Sequence, residues 1–469
     1  MSFIHNDVID ISSEDPFKNC KLGREVYAQN LTEILGVYSS GFVMSIDNKW
    51  GDGKTTFIKM WEAKLKHSGY QTAYFNSWEN DINVDPFVAI MSELKSLGIG
   101  SNHFENLVLK AGKLSTSLIP ILAKGVISKA IGNETMKELV ELVSTESSNF
   151  LSNQIDKYSE HKKSIAEFKK ELEQYIKESN SLNPLIFFVD ELDRCRPDYA
   201  VQVLEKIKHL FSVKGIIFVL SIDKEQLCNS IKGYYGSDRI NSNEYLRRFI
   251  DIEFSLPSPA TENYCDYLYK YYNFDDFFKS EVRIKSDSLR SSGEEFLIFS
   301  KLLSNKYNLN LRQISKLYSH TNLVVRQFSK NRFFFSTTIY FLIYLRDSNN
   351  VKFKSILNKE FSIQELCDEF EPIFWELFQM GKLISTKSNF IKFVVSYFNY
   401  SKNRYPEIDL HGIHFTENDV LVSGLTLKLS FFTGDEFNQI YKFMNRENSE
   451  NINLKDFLTK INLFENIKP

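Results

Sequence analysis

Residues 43–56 read VMSIDNKWGDGKTT, an apolar run that breaks into a glycine-rich turn ending in Gly53-Lys54-Thr55. No other segment restricts the fold of this chain so strongly. Between a strand and a helix, such a turn wraps backbone N–H groups around a phosphate, and the positive end of the helix dipole favours the anion. The lysine then reaches the β- and γ-phosphates while the hydroxyl holds Mg²⁺. This assigns Lys54 to the phosphates, Thr55 to Mg²⁺, and Gly51 and Gly53 to close backbone approach. Asn48, Trp50, Asp52 and Thr56 complete the binding loop. The strict pattern G-x-x-x-x-G-K-[ST] puts glycine at position 48, where this chain has Asn48. Asparagine tolerates left-handed backbone angles better than most residues, so the departure is mild.

A second segment agrees with the first. Residues 185–194 read LIFFVDELDR, an apolar strand ending in two acids. Asp190, at the carboxyl end of a buried strand, can reach the Mg²⁺ held by Thr55, and Glu191 can orient or deprotonate a water. An acid at 191 points to a hydrolase carrying its own base. The strand GIIFVLSID ends in Ser221 and Asp223, and its tip is expected to face the γ-phosphate. Arg247 and Arg248, before the last strand, and Arg312, at the start of an amphipathic helix, are candidates to stabilise transition-state charge. Asn76 and Glu79 follow the second strand and can face the same phosphate, with Trp78 assigned to the core. Asp193 and Arg194 are expected to pair locally and hold the loop. His411 and His414 have H-x-x-H spacing, but no nearby acid or cysteine completes a metal site.

Strand-like runs at 41–46, 72–75, 185–189, 215–222 and 250–254 alternate with helical patterns at 55–67, 85–98 and 199–212. Nearly continuous apolar strands alternating with helices predict an α/β fold, a parallel sheet covered on both faces. A long helical insert, about 85–182, separates the second strand from the third. Its latter part places Ile165, Phe168, Leu172 and Ile176 on one helical face. Beyond Pro257 the pattern turns mostly helical over 262–346 and 354–404, and 405–469 mixes turn residues with short helices and a small hairpin expected near 419–432. The implied division is a core at 1–258, a helical lid at 259–345 and a C-terminal domain at 346–469.

At 469 residues the chain exceeds what one core accommodates. Its formal net charge of −3 gives no global attraction to nucleic acid, leaving only local clusters such as RQFSKNR at 326–332. The five cysteines are scattered without a C-x-x-C pair, which argues for a reducing cytoplasm rather than a disulfide framework. The N-terminal segment lacks the basic and apolar regions of a signal peptide. The most apolar stretch, 107–132, is broken by lysines and reads as an amphipathic segment rather than a membrane span.

With these pieces in order, the chain resembles the KAP family of P-loop NTPases over about residues 12–345. The resemblance rests on Leu22-Gly23-Arg24, the W-G-x-G-K-T loop at 50–55, F-N-S-W at 75–78 and D-E-L-D-R-C at 190–195. F-V-L-S-I-D at 218–223, Y-L-R-R-F-I at 245–250 and L-R-Q-I at 311–314 extend it. It implies an ASCE-type core, with an extra strand between the P-loop strand and the acid-bearing strand, a helical lid, and ATP as substrate. It also places Arg24 among the nucleotide-binding residues. Asn48 departs from the usual glycine, and Glu191 stands where many members have aspartate. Many relatives carry transmembrane helices between the P-loop and the acidic strand, a feature this insert lacks. Bacterial members are often linked to exclusion of phage or mobile DNA, so antiviral defence is the implied setting.

Three functions follow as expectations. The first is a cytoplasmic, Mg²⁺-dependent ATPase that switches or assembles a complex, as a homo-oligomer or with a protein partner. The second is a nucleotide-gated scaffold presenting its aromatic-rich helices to a partner. The third, a DNA-translocating motor, has the least support.

Overall fold

The computed structural model describes residues 11–37, 41–82, 85–99, 104–111, 147–178, 183–258, 260–286, 289–332, 334–381, 384–401, 414–415, 419–422, 425–431, 433, 435, 437 and 454–462. Most of the apolar stretch at 107–132, and His411, lie outside them. The chain divides into two compact units, Met1–Ser258 and Pro259–Pro469.

The first unit is built on five parallel strands: β1 (Val43–Asp47), β2 (Thr72–Asn76), β3 (Leu185–Asp190), β4 (Ile216–Ile222) and β5 (Ile252–Ser255). Their order across the sheet is β2-β3-β4-β1-β5. β4 therefore lies between the P-loop strand and the acid-bearing strand, the arrangement the resemblance implies. Every residue of β3 and β4 is buried. That is why their sequences read as continuous apolar runs: alternate side chains face opposite layers, and both layers are covered.

On one face Met44, Ile46, Ile186, Phe188, Ile217 and Val219 pack against α1 (Glu25–Val37) and α2 (Lys54–His67) through Leu31, Leu35, Phe57 and Trp61. The Trp61 indole N–H donates to Thr32 Oγ1 at 2.9 Å, satisfying the polar end of a fully buried ring. On the other face Val43, Phe187, Val189, Phe218 and Leu220 meet the helices Pro86–Ser96, Ser147–Lys177 and Pro197–Lys206. The helical pattern expected over 199–212 is not one α-helix. It ends at Lys206 and continues as a π-helical turn, Ile207–Phe211, which turns Ile207, Leu210 and Phe211 inward.

The second unit is mostly helical around an aromatic core that runs from Cys265 to Ile461. Phe274, Phe296, Tyr318 and Tyr340 interlock edge to face, as do Phe341, Phe370 and Phe393. Arg283 is fully buried among Phe277, Phe278 and Phe334, donating to the Lys330 and Arg332 carbonyls and to Ser292. The expected hairpin is present: β7 (Asp419–Val422) pairs antiparallel with β8 (Leu425–Lys428), and β6 (His414–Phe415) joins β7. The basic cluster at 326–332 lies beside acids, with Arg326 and Lys330 near Asp276 and Arg332 against Asp456. No helix among the described residues is long and apolar enough to cross a membrane.

Candidate nucleotide-binding site

The chain leaves β1 at Asp47 and re-enters regular structure at Lys54, the first residue of α2. Gly51 (φ 89°) and Gly53 (φ 77°) supply the left-handed turns that aim the loop's amides inward. Asn48 does not adopt left-handed backbone angles. Its N–H instead donates to Ile222 at 3.2 Å, prolonging the β1–β4 ladder, and its Oδ1 accepts from Lys49 N at 2.7 Å. A residue without a short side-chain acceptor would lose that turn bond, so Asn48 is used for its side chain.

Gly53 caps α2 without a side-chain acceptor, leaving the first-turn N–H groups for an anion. Lys54 is buried, its ammonium bonded to the Asn48 carbonyl. Burial pushes its pKa down, while Asp193, Asp223, Asp190 and Asp47 pull it back up. Arg24 is buried too, donating from NH1 to the Gly53 carbonyl at 3.1 Å, with Nε and NH2 lacking acceptors. Burial lowers its pKa, and Cys20 and Asp52 oppose the shift. Thr55 and Thr56 are half-buried in the first turn of α2.

Asp190 ends β3 in register with Asn76 on β2 and Ser221 on β4. Its carboxylate accepts from Glu191 N and from the Tyr74 hydroxyl, each at 2.9 Å. Glu191 takes a left-handed backbone conformation (φ 59°), an unusual one for a glutamate. Its carboxylate pairs with Arg194 at 2.7 Å and accepts from Asn76 Nδ2 at 3.3 Å. Burial raises its pKa; Arg194 and Asn76 lower it and Asp190 adds to the rise. The expected Asp193–Arg194 pair does not form. Arg194 goes to Glu191 and lies over the Trp78 ring at 5.5 Å, while buried Asp193 accepts the Trp50 indole N–H. Trp78 is half exposed rather than core, its backbone N–H donating to Asn76 Oδ1. Arg196 grips Asp81 through its backbone N–H, Nε and NH2, tying the loop after β2 to the acidic loop.

Asp223 caps the helix Lys224–Tyr235 through Gln226 N and accepts from Trp50 N at 3.2 Å. Ser221, whose hydroxyl is fully buried without a partner, is the polar group of β4 that shares the register of Asp190. Arg248 is exposed, and Arg247 pairs with Glu244. Arg312 lies exposed in the first turn of the second unit's helix Leu311–Val325, beside a capping box of Asn310 and Gln313. Nothing in the local sequence spacing marks the Tyr74–Asp190 and Trp50–Asp193 contacts, which span 116 and 143 positions.

These features suit a nucleoside triphosphate with a divalent cation: uncapped amides, a lysine bonded only to a carbonyl within its own loop, a half-satisfied buried guanidinium, and a carboxylate at the end of β3, Asp190, whose charge acts on Lys54. Fold and site together define a P-loop NTPase. The chain belongs to the KAP family, whose P-loop domain model it matches over residues 24–329. Among solved structures it is similar to the Aeropyrum pernix ORC2 protein, described in ADPNP–ADP complexes. That likeness has 12% identity and a TM-score of 0.36, over 91% of this chain and 94% of that one. No curated protein matches the chain.

Proposed function

We propose that the protein is a Mg²⁺-dependent ATPase in which hydrolysis drives a conformational switch or an assembly step. One observation carries this reading: Glu191 is held beside Asp190 by its own turn, by Arg194 and by Asn76, in reach of a loop that presents Lys54. Lys54 moves from the Asn48 carbonyl to the β- and γ-phosphates, where its charge offsets theirs. Thr55 and Asp190 would hold Mg²⁺, which when bound supplies charge neutralisation at the phosphates. Glu191 orients the attacking water and accepts its proton, and Arg24 supports the loop backbone at Gly53.

Both oxygens of Glu191 are engaged, by Arg194 and by Asn76. This favours a second reading, a nucleotide-gated scaffold with slow turnover until a partner or a second copy frees Glu191. The setting in bacterial antiviral defence and the cytoplasmic location rest on the family resemblance and on cysteine usage. The test is ATP turnover by the full chain beside Lys54→Ala and Glu191→Gln. The expected result is turnover lost in both, with ATP binding retained in Glu191→Gln. Undiminished turnover in either variant refutes the assignment, and ATP binding without any turnover by the unsubstituted protein favours the scaffold.

A further inference from the structure

Trp50 and Asp193 come from two separate motifs and meet in one hydrogen bond. Asp193 is only 4% exposed and receives the indole N–H on Oδ2. The Trp50 ring is 40% exposed, so burial of apolar area does not explain a tryptophan at this point of the loop. Its polar end is what the fold uses. The same residue's backbone N–H is fixed to Asp223 on the other side, at the end of β4.

We propose that Trp50 and Asp193 are positioning residues whose bond carries nucleotide occupancy of the P-loop to Glu191. The proposal rests on the nucleotide site described above. Asp193 sits in the three-residue turn Leu192–Arg194, so displacing it moves Arg194, which holds Glu191 at 2.7 Å and lies over Trp78. Asp193 is also the leading counter-charge to Lys54 in the resting loop. When the Lys54 ammonium turns to a phosphate, Asp193 keeps the Trp50 N–H as its side-chain donor, and the acidic turn then follows the P-loop. A tie that only stiffened the core would not link these two loops.

The chain's four tryptophans, Trp50, Trp61, Trp78 and Trp375, make the link readable as indole N–H signals of ¹⁵N-tryptophan-labelled protein. Trp50→Phe and Trp78→Phe assign the two that matter. Saturating Mg²⁺ with a non-hydrolysable ATP analogue, binding being verified by calorimetry, is expected to move both signals. In Asp193→Ala the Trp50 signal should already differ without nucleotide, and the Trp78 signal should no longer respond to the bound analogue. Asp193→Asn keeps an acceptor and should recover the Trp78 response. Trp50→Phe, which retains Trp78 as reporter, gives the same test from the other side if the alanine variant fails to fold. Three results overturn the link: a Trp78 signal that never responds in the unsubstituted protein, one that still responds in Trp50→Phe or Asp193→Ala, or a Trp50 signal unchanged by Asp193→Ala. Where the protein turns over ATP, kcat should fall about tenfold or more in each single variant and no further in the double, as expected of misplaced catalytic groups acting as one unit. Unchanged kcat in both singles also overturns it. Absence of turnover in the unsubstituted protein defeats the hydrolysis reading alone, since the Trp78 response still decides the link.

Discussion

At the residue scale, the hydrolysis proposed above depends on how Glu191 keeps a usable charge in a half-buried setting. Desolvation raises its pKa, and the Arg194 guanidinium is the largest opposing influence. A general base works ionised, so the acid limb of the kcat–pH profile should lie above the range of an ordinary glutamate. Removing Arg194 removes the stabilising positive charge, and the limb in Arg194→Ala should move to higher pH. Stopped-assay rates across pH test this, and a limb that stays in place or moves down shows that Arg194 does not act on Glu191. The proposed roles of Lys54, Thr55, Asp190 and Glu191 come from strand–loop–helix spacing, which is local information. The partners of Arg194, Asp193 and Trp50 could not be read this way, because each is chosen by the meeting of loops far apart in sequence. Asn48 is a subtler case: tolerance of left-handed angles made it a mild departure from glycine, while the structure uses its side-chain oxygen and its place in the ladder.

At the scale of elements, the sheet was legible and the helices less so. β3 and β4 are buried on both faces, so unbroken apolar runs had one plausible use, and the observed strands fall within a residue or two of the expected ones. The π-turn at Ile207–Phe211 left no mark, since inserting one residue into a helical turn barely alters an apolar pattern that stays buried throughout. The helix Leu454–Asn462 is one of the short helices expected within 405–469. It buries Leu454, Phe457, Leu458 and Ile461 and is held at its end by Arg346, which donates to the Ile461 carbonyl at 3.0 Å and contacts His320 Nδ1. Burial, then the Arg346 charge, push His320 down to about 4, against the pull of Asp347. The folded state therefore keeps His320 neutral where the unfolded chain, with a pKa near 6.5, takes up a proton. Stability from this site is complete above pH 6.5 and is lost as pH falls toward 4, by an amount on the order of 3 kcal/mol. Urea unfolding at pH 7 and pH 4.5 should show the second unit weakened at the lower pH, and His320→Gln should shrink the difference. An equal difference in the variant would remove His320 as its source.

At the scale of the whole molecule, the buried residues form separate clusters in the two units, sheet-centred in Met1–Ser258 and aromatic in Pro259–Pro469. Each cluster is large enough to support its own cooperative transition, and unfolding of such a chain need not be two-state. The P-loop, the acidic loop and the loop after β2 all belong to the first unit, tied together by the Trp50–Asp193, Asn76–Glu191 and Asp81–Arg196 contacts. A ligand that binds only the folded form stabilises the unit that contains its contacts, by about 2.7 kcal/mol at a hundred times its Kd. For a unit of this size that corresponds to a rise of roughly 5–10 °C. Scanning calorimetry should therefore resolve two transitions, with Mg²⁺ and a non-hydrolysable ATP analogue raising one and leaving the other within about 1 °C, a shift far smaller than binding produces. Lys54→Ala removes the ammonium proposed to bind the phosphates and should abolish the shift without lowering the second transition. If the analogue instead raises both transitions together, the second unit contributes to binding, and exposed Arg312 in the first turn of its helix becomes the residue to substitute next.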